Sequence, residues 1–376
     1  MNKLVINKEN LLQNVQKIKE HAQTNLPDDK GNPVKIIVVV KSNAYGLELK
    51  QYVQFMVNQG FDFFAVSTVQ EAVEFRKLGF TQQVLMLSST GIKEEIKTLI
   101  ENNIIITIGS KETVDAVCTI SKEMPEKKIK AHIKIDTGFG RYGFVYDNRE
   151  EMVETLKKLQ KEKNIEIQGT FTHFSNAYYD EKYTKQQFQR FINCIEVLKM
   201  NNINTGMLHV CNSSAFIKFP EMHLNAVRVG SAFVGKLAFQ NNIGLKKVAK
   251  LESQVAEIKE VPKGFNIGYS NAYRTKKKTK VAIIPCGYIN GVDIQVGRDM
   301  FRPVDKFRYI VRDIKDAFKK QNHIVNINGQ NCEILGRIGT FHVTVDITGK
   351  NIKIGDKATF EVNTTLVNSN VERIYQ

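Results

Sequence analysis

The chain has 376 residues, 42% hydrophobic and 25% charged, with 54 basic and 39 acidic side chains and a formal charge of +15. That length suggests two domains at about 150 residues each, and the composition is that of a soluble globular protein. Five scattered cysteines (Cys118, Cys194, Cys211, Cys286 and Cys332), with no CxxC pair, exclude a disulfide framework and structural zinc.

The opening MNKLVINKENLLQN has no apolar core followed by a small-residue cleavage site, so no signal peptide is expected. No apolar run approaches the roughly 18 residues of a membrane helix, which points to the cytoplasm and to no membrane partner. From Lys35 onward, short β-branched runs alternate with amphipathic stretches. The runs are KIIVVV ending at Val40, FFAVS ending at Ser67, VLMLS ending at Ser88 and IIITI ending at Ile108. They continue with KAHIKI ending at Ile135, IEIQGTFTHF ending at Phe174, MLHVC ending at Cys211 and NAVRV ending at Val229. TVQEAVEFRKLG, SKETVDAVCTISKE and KYTKQQFQRFINCIEVLKM carry apolar residues at helical spacing between them. About eight strand–helix units make the rhythm of a (β/α)8 barrel over residues 1–238; a doubly wound open sheet, the competing architecture, rarely needs so many.

Past Gln240 the texture changes. VAKLESQVAEIKEV, KVAIIPCGY, CEILGRIG and HVTVDIT read as strands separated by Gly, Asn and Lys-Lys turns, with one helical piece near Arg312–Gln321. This predicts a mostly β domain over residues 239–376, with which the opening strand in residues 1–7 can pair. The one dense basic run, Lys276–Lys278 with Arg274 and Lys280 nearby, is short and lacks any nucleic-acid-binding motif, so no nucleic-acid partner is expected. A solvated lysine-rich face that draws in anionic substrates is the simpler reading of the charge.

Polar residues gather at the C-terminal ends of the predicted barrel strands, where such barrels place their active sites. Lys41 follows strand one, Lys134 lies near the end of strand five and His173 near the end of strand six. Asn212 and Ser213 follow strand seven; Arg228 and Gly230 close strand eight. For Lys41 alone, a stem snorkelling along the barrel rim is an equal alternative. A lysine at a dry strand end has its ammonium form disfavoured, which suits Schiff-base chemistry. The Arg-Val-Gly-Ser stretch offers backbone N–H groups at a possible helix start, where barrels bind phosphate. Lysine and phosphate site together suggest pyridoxal phosphate, which spacing alone leaves open.

The same residues resemble a known family. VVVKSNAYGLE resembles the cofactor-lysine signature of the alanine racemases, and KIDTGFGRYGF, GTFTHFSNA, HVCNSSAFIKFP, VRVGSAFVG, NIGYSNAYR, PCGYINGVD, GRIG and IKIGDKATFEV follow in the family's order. The resemblance implies a barrel followed by a β domain, a head-to-tail homodimer with shared active sites, and pyridoxal 5′-phosphate as cofactor. By motif, Lys41 would hold the cofactor aldehyde and act as acid/base on one face of the substrate α-carbon. Tyr269 of the second subunit would act on the opposite face, since a racemase must remove the proton from one side and return it on the other. Arg228 would face the pyridine nitrogen with His173 behind it. An arginine keeps its proton, so the ring nitrogen would stay unprotonated and the cofactor would favour proton exchange over transamination.

Tyr45, Ser213, Gly230 and Ser231 would hold the phosphate, with Asn212 beside them. Arg141 would approach the substrate carboxylate, Thr340 would offer it a backbone N–H, and Lys134 matches a position that family members often carry as a carbamate. Three positions depart from the family pattern: Phe341 stands where an acid is usual, Ser369 where a tyrosine narrows the entrance, and Leu47 where a histidine follows Tyr-Gly. These departures resemble the racemase domains of serine/alanine racemases. The expected substrate is alanine, with serine as a second, and the D-amino acid would serve cell-wall peptides in a bacterium. Two rivals remain. A barrel-type pyridoxal-phosphate decarboxylase would pair the ring nitrogen with a glutamate, which Arg228 opposes. A non-enzymatic pyridoxal-phosphate carrier would be a barrel alone, which the β domain and Tyr269 oppose.

Overall fold

The computed structural model describes residues 1–23, 34–240, 242–294, 297, 302–317 and 323–376. They fall into two compact units, Glu9–Val248 and a unit made of Met1–Lys8 with Ala249–Gln376.

The first unit is a closed barrel of eight parallel strands: β1 (Lys35–Val39), β2 (Phe63–Val66), β3 (Gln83–Ser89), β4 (Ile105–Ile108), β5 (Ile129–Asp136), β6 (Ile165–Phe171), β7 (Met207–His209) and β8 (Ala226–Val229). Neighbours in sequence pair in space, and β8 returns to β1 with Arg228 opposite Ile37 and Val229 opposite Val38. Alternate residues point inward. Ile37, Val39, Phe63, Ala65, Leu85, Ile105 and Ala226 therefore form a buried plug, with Leu87 and Met207 against it. The helices follow the sequence pattern closely: Val69–Lys77, Lys111–Glu123 and Glu181–Met200 are each opened by a side-chain cap from Thr68, Ser110 and Asp180 respectively.

Two expectations need correction here. The strand read through Phe174 stops at Phe171, and no helix starts after β8. Residues 231–235 form turns instead, because the Phe233 carbonyl, which a helix would offer four residues on, accepts from Asn14 Nδ2 at 2.9 Å. Asn14 also exchanges hydrogen bonds with Lys246 at 2.7 Å each way, and Lys17 Nζ reaches the Ile243 carbonyl. These contacts tie residues 243–248 to the barrel unit, which ends at Val248.

The second unit is a nine-stranded sheet. Its strand order is Glu257–Val261, Thr279–Ile284, Val343–Asp346, Gln330–Leu335, Ile324–Ile327, Lys357–Phe360, Ala249–Gln254, Lys3–Ile6 and Glu372–Tyr375. Lys3–Ile6 pairs antiparallel with Ala249–Gln254 and parallel with Glu372–Tyr375. A helix spans Pro303–Ala317, starting earlier than the expected piece; residues 318–321 of that piece lie outside the described residues. Among the described residues, no helix is long and apolar enough to cross a membrane.

Candidate active site

A cavity of about 620 Å³ opens at the C-terminal ends of the barrel strands, within the usual range for a ligand pocket. Lys41, Tyr45, Lys134, Arg141, His173, Asn212, Ser213, Arg228, Gly230 and Ser231 all line it, so ten of the expected site residues meet in one place. Its lining holds four cationic side chains and no carboxylate among the described residues. Such a site suits an anion.

Lys41 enters because β1 ends at Val39 and the chain then coils into an unusual turn. Ser42, Asn43, Ala44 and Tyr45 all have left-handed backbone, with φ of 56°, 51°, 54° and 56°. Each non-glycine residue so placed costs roughly 1–2 kcal/mol, so the turn needs support. Glu71 supplies it, accepting from Ser42 N at 2.5 Å and from Ser67 N at 2.9 Å, while Asn43 Oδ1 accepts from Leu49 N at 2.8 Å. Burial and then the Arg141 charge hold the Lys41 pKa below that of a free lysine, with Glu71 acting the other way. Its free amine is thus available at lower pH than usual.

The turn also delivers Tyr45 beside Gly230. A Cβ on Gly230 would overlap the Tyr45 hydroxyl and stand 2.7 Å from its Cε2 and Cζ, so only glycine permits this approach. Burial raises the Tyr45 pKa, which keeps the hydroxyl protonated, and the Ser231 backbone hydrogen-bonds it. Ser213 Oγ accepts from Gly230 N at 3.1 Å and from Ala232 N at 3.4 Å. Asn212 caps the short helix Ser213–Lys218, its Oδ1 accepting from Ser214 N and Ala215 N. Hydroxyls and backbone amides therefore converge on one corner, the donor set a phosphate takes.

On the opposite wall, Lys134 is only 4% exposed, lies 5.2 Å from the Tyr142 and Phe171 rings, and donates to the Leu87 carbonyl at 3.3 Å. Burial, then Arg141 and Arg228, lower its pKa to about 7. Arg141 sits at the end of a loop built by Asp136, whose carboxylate accepts from the backbone N–H groups of Gly138, Phe139, Gly140 and Arg141 at 2.8–3.0 Å. The Arg141 guanidinium lies 4.2 Å over Phe139, and Phe139 meets His173 edge-on at 5.4 Å. Burial and the surrounding cations push the His173 pKa well below its usual value, so this imidazole is neutral.

Arg228 is 2% exposed. Its Nη1 donates to His209 Nδ1 and to the His209 carbonyl at 2.8 Å each; its Nη2 donates to the Thr172 carbonyl at 2.6 Å and the Val210 carbonyl at 3.0 Å. A guanidinium has five N–H donors, and these four bonds all fall on its two terminal nitrogens. Burial lowers its pKa to about 10, and it remains charged at neutral pH. The histidine behind Arg228 is thus His209, not His173. Sequence reasoning passed over His209, its neighbour His132, Glu71 and Asp136. The available signals were the two-residue spacing of His132 and Lys134, which puts both inside the barrel, and the Asp-Thr-Gly turn pattern.

Tyr269 and Thr340 belong to the second unit. Tyr269 opens a short turn, is 72% exposed, and has its ring edge 3.9 Å from the position of a Cβ on Gly339. Thr340 Oγ1 donates to the Tyr288 hydroxyl at 2.8 Å. Both predicted substrate-facing residues thus occupy one surface region of that unit. Phe341 is 54% exposed, and the Ser369 carbonyl accepts from Arg373.

Residues 6–238 match the family model "Alanine racemase, N-terminal domain", and residues 248–372 match "Alanine racemase, C-terminal domain". An alanine racemase of Methanococcus maripaludis is 33% identical over 86% of this chain and 81% of its own length. One from Carboxydothermus hydrogenoformans is 30% identical over 94% of this chain and 87% of its own. Among solved structures, the alanine racemase of Clostridium difficile superposes with a TM-score of 0.84 at 27% identity, covering 100% of this chain and 95% of that one.

Proposed function

The chain belongs to the alanine racemase family, and from that premise we propose that it interconverts L- and D-alanine with pyridoxal 5′-phosphate held on Lys41. The observation that carries this reading is the Tyr45–Gly230–Ser231–Ser213 cradle beside a lysine of lowered pKa, in a cavity whose lining holds four cations. The cradle fits the cofactor: its amides and hydroxyls match a phosphate, and the space kept by Gly230 brings Tyr45 to it.

When bound, pyridoxal phosphate supplies an electron sink that acidifies the substrate Cα–H. The protein does the rest. Lys41 would hold the cofactor aldehyde in the resting protein and, with its amine free once the substrate amine had taken that place, would accept or return a proton at Cα on one face. Tyr269 of a second subunit, a residue 72% exposed, would serve the other face; two bases on opposite faces account for inversion. Arg228, charged at neutral pH, would face the ring nitrogen and would not surrender its proton to it. That restrains charge transfer into the ring and favours return of the proton to Cα. Arg141 would receive the substrate carboxylate as a cationic fork, presented by the Asp136-held loop, with the Thr340 amide of a second subunit as a further donor. Lys134, with a pKa near neutrality, has a free amine fraction able to take up carbon dioxide as a carbamate and release a proton, giving an anion beside Arg141.

The test is covalent. Reconstitution with pyridoxal phosphate, borohydride reduction and peptide mapping should place the label on Lys41. A label on another lysine would overturn the assignment.

A further inference from the structure

Deeper in the barrel than the cavity lies a buried pair of histidines that the proposed chemistry does not touch. His132 is 1% exposed and His209 is fully buried. His132 stands on β5 two residues before Lys134, hence one layer further down the same inward face. Its Nδ1 lies 2.9 Å from His209 Nε2, and His209 Nδ1 lies 2.8 Å from Arg228 Nη1. The three side chains form a continuous line from the barrel core to the cavity.

Only one arrangement of protons satisfies that line. Arg228 Nη1 has hydrogens and no lone pair to offer, so His209 Nδ1 must accept. Both imidazoles are buried and have depressed pKa values, His132 at about 3 and His209 well below the ordinary range, chiefly through desolvation with Arg228 adding to it. A neutral His209 that accepts at Nδ1 carries its proton on Nε2. That N–H points to His132 Nδ1, which accepts in turn. The opposite tautomer of His209 would set two donors against each other 2.8 Å apart.

The surrounding structure holds the pair in place. The Phe171 ring stacks on His209 at 4.9 Å with 8° between planes, and Phe63 meets His132 edge-on at 6.1 Å. Gly169, opposite His132 in the β5–β6 register, leaves the ring its room: a Cβ there would stand 2.6 Å from His132 Cε1 and 2.7 Å from Nδ1.

We propose that His132 is a positioning residue for Arg228: by accepting the His209 Nε2–H it stabilises the tautomer that Arg228 requires and so holds the guanidinium that lines the cavity. The catalytic consequence rests on the role given to Arg228 above, whereas the tautomer order rests on the barrel alone. Asparagine carries a carbonyl oxygen near the place of Nδ1 and should replace it in part; leucine leaves the His209 N–H without an acceptor in a dry site, where an unmet donor favours rearrangement.

The experiment uses the full chain labelled with 15N-histidine, in wild type and in His132→Asn, His132→Leu and Gly169→Ala, with His209→Asn to assign the signals. Two-bond 1H–15N spectra should show His209 protonated on Nε2 in wild type and His132→Asn. A fraction of the Nδ1-protonated form should appear in His132→Leu, and a smaller one in Gly169→Ala, where the ring is pushed rather than deleted. With cofactor and alanine, kcat should fall about 10–100-fold in His132→Leu, the usual scale for losing an outer-shell partner, while KM moves less and His132→Asn recovers at least a third of wild-type kcat. A His209 tautomer unchanged in both the Leu and Ala variants, or equal losses in Asn and Leu, would overturn the proposal. A wild type inactive on alanine would instead remove the functional reading and leave the tautomer comparison standing.

Discussion

Gly230→Ala tests the phosphate cradle most sharply. The added methyl would overlap the Tyr45 hydroxyl and lie 2.7 Å from two ring carbons, where ordinary contact is at least 3.4 Å. Tyr45 must therefore retreat by roughly 0.7 Å or more, or Gly230 must move off the Ser213 hydroxyl that its amide now reaches at 3.1 Å. Overpacking of this kind costs about 1–3 kcal/mol. The turn that carries Tyr45 is already left-handed at four residues and pinned by Glu71, so little of that strain can relax locally. At 1.4 kcal/mol per tenfold, affinity for pyridoxal phosphate should fall by about 5–150-fold. The assay is titration of the cofactor-free protein followed by its visible absorbance, with the thermal midpoint of each variant measured alongside. In a Tyr45→Ala background the same glycine substitution should cost less than a third as much, because the two sites share one contact. Wild-type affinity in Gly230→Ala, or strict additivity with Tyr45→Ala, would refute the cradle.

Three further outcomes follow from the cavity's charges. Capture of pyridoxal phosphate by Lys41 needs the neutral amine, so its rate should rise with pH through the lowered pKa; Arg141→Gln removes a charge that lowers that pKa and should move the profile to higher pH. Tyr269→Phe should bind cofactor normally and lose racemisation by about 100-fold or more, as expected for a missing acid/base; near-normal turnover in both directions would remove Tyr269 from the mechanism. Lys134 is depressed to about 7 when folded against 10.5 for a free lysine, so the unfolded chain binds the extra proton between those values and folding is favoured as pH rises across that window. Lys134→Met should therefore raise the thermal midpoint, and more at pH 6.5 than at pH 9.5; an equal gain at both would show that the amine is not desolvated.

The barrel was legible because its strands are β-branched runs ending in polar residues, and a run such as KIIVVV has few other uses. Lys41, Ser213 and Arg228 were legible for the same reason: each stands at or just after a strand end, where the fold fixes its position. Tyr45 could be reached only by motif. Four consecutive left-handed residues without a glycine among Ser42–Tyr45 leave no trace in propensity, and the support from Glu71 comes from the next strand–helix unit. His209 was missed because an isolated histidine within a short strand reads as core. Its partnership with His132 and Arg228 appears only when registers are set across β5 to β8. The supposed helix after β8 failed for a related reason: the hydrogen bond that diverts the Phe233 carbonyl comes from Asn14, 219 positions away. Local pattern carries the elements; what tunes the site is long-range pairing between polar groups.

The most direct test is reaction of the cofactor-loaded protein with L-alanine and, separately, D-alanine in deuterium oxide, followed by chiral chromatography and mass spectrometry. The account predicts that both reactions reach the same nearly equal mixture of enantiomers, with one deuterium at Cα of each converted molecule, and that Lys41→Ala abolishes conversion. Alanine that stays enantiomerically pure, or loses its carboxylate instead of exchanging its α-proton, would contradict it.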